Sequence, residues 1–98
     1  MRLIIGGYEI PERSLLHVDL SVESDPVSFD GVARQDDGIE IRRRLRLVAQ
    51  ERAIPYEAAD KNGVISAGIC NIKDLKFEET RTKPPLIRFS GRLIRPFI

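Results

Sequence analysis

Catalytic sites draw on histidine, cysteine, paired carboxylates and activated serines, and this chain is poor in all of them. His17 is the single histidine and Cys70 the single cysteine. His17 falls on the polar side of an expected strand, where a lone histidine is structurally neutral more often than catalytic. Cys70 has no second cysteine to bond and reads as a small buried hydrophobe. Asp36 and Asp37 are adjacent, but neighbouring turn residues point apart, and Asp-Asp-Gly is turn chemistry before it is an acid–base pair. Ser14 and Ser90 have no base nearby to activate them. No Cys/His spacing fits a metal, and Gly6-Gly7 is too short to cradle a phosphate. These residues predict no enzyme, no metal and no cofactor.

The densest chemistry lies at 39–49, IEIRRRLRLVA. It places Arg42, Arg43, Arg44 and Arg46 within five positions. Read with a period of two, the run predicts a strand. Ile39, Ile41, Leu45 and Leu47 would share one face, interrupted by Arg43. Glu40, Arg42, Arg44 and Arg46 would share the other, about 6.5–7 Å apart at the usual strand rise. Three readings are open. The row could track phosphates, since charge dominates nucleic-acid affinity. It could be a solvated face. It could also be an interface, because arginine makes planar multi-donor contacts with carboxylates and is enriched at protein contacts where lysine is depleted. Single-strand binders interleave aromatics with their basic residues, and none occurs between Phe29 and Tyr56. Arg43, facing a core, would need a carboxylate, an edge or a neighbouring molecule.

These residues must be held by a small domain. Ninety-eight residues suit one domain spanning 1–98. The chain is 42% hydrophobic and 32% charged, a folding composition. Its net charge of +1 argues against nucleic-acid binding by bulk charge. The lone cysteine fits a reducing compartment. No apolar run reaches the roughly 18 residues that span a bilayer, and the N-terminal residues lack the pattern of a signal peptide.

Along the chain, the apolar run 2–5 closed by Gly6-Gly7 predicts a strand and turn. Leu16, Val18, Leu20 and Val22 alternate with His17, Asp19, Ser21 and Glu23, a clear strand period. A short strand is expected at 27–32, ending at Asp30-Gly31. RQDDG at 34–38 is a polar loop with an Asp37-Gly38 turn. Pro55 stops any long helix, and one or two helical turns are expected at 55–60. Residues 64–72 are extended, continued by Leu75 and Phe77 across a bulge near Asn71. The connector EETRTKPP at 78–85 leads to a closing strand with Ile87, Phe89 and Leu93 on one face. Arg88, Ser90 and Arg92 take the other. Together these predict a mainly antiparallel β domain, a small sandwich or partly closed barrel of five to seven strands with one short helix.

The C-terminal segment GICNIKDLKFEETRTKPPLIRFSGRLIRPF resembles the closing segment of small tail and baseplate proteins of long-tailed, contractile-tailed bacteriophages. The likeness lies in a strand, the polar connector Glu78-Glu79-Thr80, and a strand of the IRFSGRL type at 86–94. The proline near Pro55, Gly63 and the opening MRLIIGGYEIP are similar in pattern. The resemblance implies a structural subunit of the virion tail, made in the bacterial cytoplasm. Its partners would be other tail proteins or copies of itself. Candidate contact residues are Arg42, Arg43, Arg44 and Arg46, with Asp36 and Asp37 in the loop and Glu78, Glu79 and Arg81 in the connector. The alternative is a small nucleic-acid-binding domain using the arginines at 42–46.

Overall fold

Alternating polarity builds most of this molecule. The computed structural model describes residues 2–21, 27–35, 39–79 and 85–96. Their elements are β1 (Arg2–Ile5), β2 (Tyr8–Ile10), β3 (Leu15–Ser21), β4 (Ser28–Arg34), α1 (Ile39–Val48), β5 (Ile54–Asp60), β6 (Gly63–Glu78) and β7 (Leu86–Pro96). The seven strands form one sheet in the order β2-β1-β5-β6-β7-β4-β3. Every pairing is antiparallel. The expected class, mainly antiparallel β with one helix, holds. The strands make a single sheet that is not closed, and β2 and β3 are its free edges.

The sheet wraps one face around α1. Ile41, Leu45 and Val48 of the helix enter a core with Leu3, Ile5, Ile10, Ile54, Tyr56, Ala58, Cys70, Ile87 and Phe89. Bulges between Ile69 and Cys70 and between Ile72 and Asp74 fall on either side of Asn71. Such extra residues bend a strand and increase its twist. The bent β6 serves β5 with its first half and β7 along the rest. Gly6 and Gly7 have φ of 59° and 80°. Those are the values a two-residue hairpin turn demands, and they suit glycine.

Two reciprocal pairs tie β4 to β7. Phe29 lies opposite Gly91, and Gly31 lies opposite Phe89. Each ring covers the neighbouring glycine, and the two rings tilt at 59° with centroids 6.3 Å apart. Gly31 therefore sits inside β4, which continues to Arg34, rather than ending the strand.

Three further expectations are corrected. Residues 39–48 are helix, not strand. Ile41, Leu45 and Val48 recur at i, i+4 and i+7, one helical stripe. Glu40 in the first turn and Arg46 in the last suit the helix dipole. The helix also removes the conflict at Arg43, which faces solvent instead of the core, and Leu47 is 54% exposed. Residues 55–60 are strand, not helical turns. Ile54, Tyr56 and Ala58 are buried with a period of two, while Pro55, at the strand start, donates nothing and accepts from the Gly6 N–H at 2.8 Å. In β3 a bulge between Leu15 and His17 turns Leu16 outward, leaving it 51% exposed. Val18 stays packed against the core, and position 22 lies outside the described residues.

Candidate protein-interaction surface

The helix redistributes the four arginines. Residues four apart share a helix face, so Arg42 and Arg46 point together toward β6. Their guanidinium carbons lie 4.3 Å and 5.6 Å from the Phe77 ring centroid. Arg44 lies 5.1 Å from the Tyr8 ring centroid. Each such contact stabilises by about 0.5–1 kcal/mol at an exposed position. The aliphatic stems meanwhile shield apolar edges of the core. Burial, helped by the Glu40 carboxylate, pushes the Tyr8 phenol above its ordinary value, and Arg44 opposes that.

The connector carboxylates are drawn in as well. Glu79 approaches Arg42 at 3.8 Å, and Arg88 donates from Nε to Glu78 at 2.8 Å. Both pairs are exposed and contribute little to stability. Glu78 also eases the placement of Arg88 directly opposite Lys76. Asp36, Asp37 and Arg81 lie outside the described residues. Of the expected contact residues, the structure thus gathers Arg42, Arg46 and Glu79 around Phe77, and places Arg44 on Tyr8. Glu78 sits apart with Arg88.

Arg43 remains. It is exposed, and no contact to it is seen among the described residues. Leu47, one helical turn on, shares its face. Beside them a shallow depression of about 190 Å³ is lined by Gly6, Arg44, Leu47, Val48 and Glu51. An exposed leucine flanked by Arg43, Arg44 and Glu51 can meet an apolar side chain bordered by carboxylates. Leu47 was missed because a period of two buries it. Tyr8 and Phe77 were missed because no local signal links them to the arginines.

The sheet face turned away from α1 is polar across β3, β4 and the adjoining parts of β7 and β6, while Ile65 and Ile94 are exposed elsewhere. In one row Asp19 lies opposite Asp30, Asp30 opposite Ser90, and Ser90 opposite Asp74. The next row holds His17, Val32, Arg88 and Lys76. They line an open hollow of about 380 Å³. Among the described residues no group of His, Cys, Asp and Glu side chains could hold a metal ion. No helix among them is long and apolar enough to cross a membrane.

Cys70 is 1% exposed, and burial pushes its thiol up to about 12 from 9.0. The unfolded chain loses this proton first as pH rises. Above pH 9.0 folding stability therefore falls through this group as pH rises. Denaturant titrations of wild type and Cys70→Ala between pH 8 and 11 check this. The wild type should show the steeper loss, and parallel curves would contradict it. Compared with protein-family models, curated proteins and solved structures, the chain matches none.

Proposed function

We propose that this chain is a structural assembly subunit that works by protein–protein contact through the outward face of α1. The setting is the tail or baseplate of a long-tailed bacteriophage, where the likeness of residues 68–97 to tail proteins points. Arg43 and Leu47, exposed together beside the depression on α1, carry the reading. Arginine with an apolar neighbour is the composition of contact surfaces, and arginine suits carboxylate partners. The opposing reading, a phosphate-tracking row, loses its even spacing once residues 39–48 are helical. Three of its four guanidinium groups rest on the chain's own aromatic rings.

The test is affinity capture of the tagged chain from its native lysate after nuclease treatment, beside an Arg43→Glu/Leu47→Glu variant. Both positions are exposed, so the variant's melting temperature should stay within a few degrees. A fixed set of proteins should elute with wild type, phage structural proteins among them, and fall at least tenfold with the variant. Equal recovery with the variant would overturn the role of α1. Material that disappears with nuclease and weakens steeply with salt would favour the nucleic-acid reading.

A further inference from the structure

Among the described residues β3 is an unpaired edge of the open sheet. An unpaired edge is a template for another strand, and natural proteins blunt it or use it. The sequence of this edge, Leu15–Ser21, reads LLHVDLS. It is self-complementary about Val18. If a second β3 runs antiparallel with Val18 opposite Val18, His17 of each copy falls opposite Asp19 of the other. Residues directly opposite in an antiparallel pair share a face, so both His17–Asp19 pairs form on the polar side.

The register extends this match beyond the edge. The row Asp19, Asp30, Ser90, Asp74 of one copy would continue into the row His17, Val32, Arg88, Lys76 of the other. A mainly acidic row thus runs into a mainly basic one, twice, by symmetry. The fold leaves this charge pattern unfinished by itself. Asp19 and Asp30 are directly opposite, and like charges so placed repel. Asp30 has Arg88 and Arg92 diagonal to it on β7. Among the described residues no strand pairs with β3 on the side of Asp19 away from β4. An imidazole N–H of a second copy, one strand spacing or about 4.8 Å away, is placed to donate to that carboxylate. A one-residue slip would put Asp19 opposite Val18 and lose both pairs, so charge selects the register.

We infer that β3 pairs with β3 of a second copy of this chain, forming a two-fold dimer with a continuous sheet. A two-fold contact uses the same patch on both partners, and a strand that is complementary to itself satisfies that condition. The bulge between Leu15 and His17 bends the strand and confines the pairing to the segment beyond it. This dimer is separate from the surface on α1. It is read on the purified chain alone, so its failure and the failure of the assembly role are distinguishable.

Sedimentation equilibrium of the purified full chain, from micromolar to millimolar, is the experiment. Wild type should follow a monomer–dimer equilibrium. His17→Asp and Asp19→Lys should each weaken the dimer tenfold or more. The exchanged variant His17→Asp/Asp19→His rebuilds both pairs and should recover to within about threefold of wild type. Amide hydrogen exchange at positions 17–19 should slow as wild-type concentration rises. A wild type that stays monomeric at millimolar concentration would overturn the inference. So would a dimer indifferent to both single changes, or an exchanged variant no tighter than the single ones.

Discussion

Replacing Gly91 with alanine should destabilise the protein by about 3 kcal/mol or more, the upper range for overpacking a filled interior. A Cβ there would overlap the carbonyl oxygen of Asn71 on β6, and the Phe29 ring leaves it no space on the other side. A side-chain atom can rotate away; the backbone of a central strand pair cannot. For a domain of this size the melting temperature should drop by about 12–24 °C. Gly7→Ala is the control. Nothing lies within 4 Å of its Cβ position, and only its φ of +80° opposes the change. Thermal unfolding by circular dichroism compares them. A loss at Gly91 no larger than that at Gly7 would contradict the close approach of β7 to β6.

The second large effect separates helix from strand at residues 39–48. Leu45 is fully buried, whereas Leu47 is 54% exposed. Leu45→Ala should therefore cost about 2–5 kcal/mol, from lost burial plus the cavity left behind. Leu47→Ala should stay within about 0.5 kcal/mol. In a strand the two leucines would share one face and suffer alike. Urea unfolding of both variants decides the matter, and equal losses would contradict the helix.

That contrast also shows how far the residues announce the fold. Strands β1 and β7 and the burial of Ile87 and Phe89 follow from apolar runs, alternation and turn residues, whereas the turn signal at Asp30-Gly31 cut β4 short. At 39–48 two periods coexist. Positions 39, 41, 45 and 47 fit a strand with Arg43 as the one misfit, while 41, 45 and 48 fit a helix with none. The misfit was the better guide, because a guanidinium facing a core is costly. At 54–60, proline and alanine pull toward helix, yet Ile54, Tyr56 and Ala58 alternate. The sheet partners on both sides decide it, since β1 and β6 flank β5.

The surface was less legible for a physical reason. Whether an arginine is available to a partner depends on what it already touches. Phe77 lies more than thirty positions from Arg42 and Arg46, as Tyr8 does from Arg44. Only the assembled sheet brings them together. The pattern His17-Val18-Asp19 is local by contrast, but its self-complementarity matters only once β3 is known to be an edge.

The most direct test of the assembly role is to purify phage particles from the native host and quantify this chain in the tail fraction. Wild type should be present at a fixed ratio to the other tail proteins. The Arg43→Glu/Leu47→Glu chain, folded and equally expressed, should be depleted at least tenfold. A chain absent from particles in its wild-type form, or incorporated equally as the variant, would contradict the account.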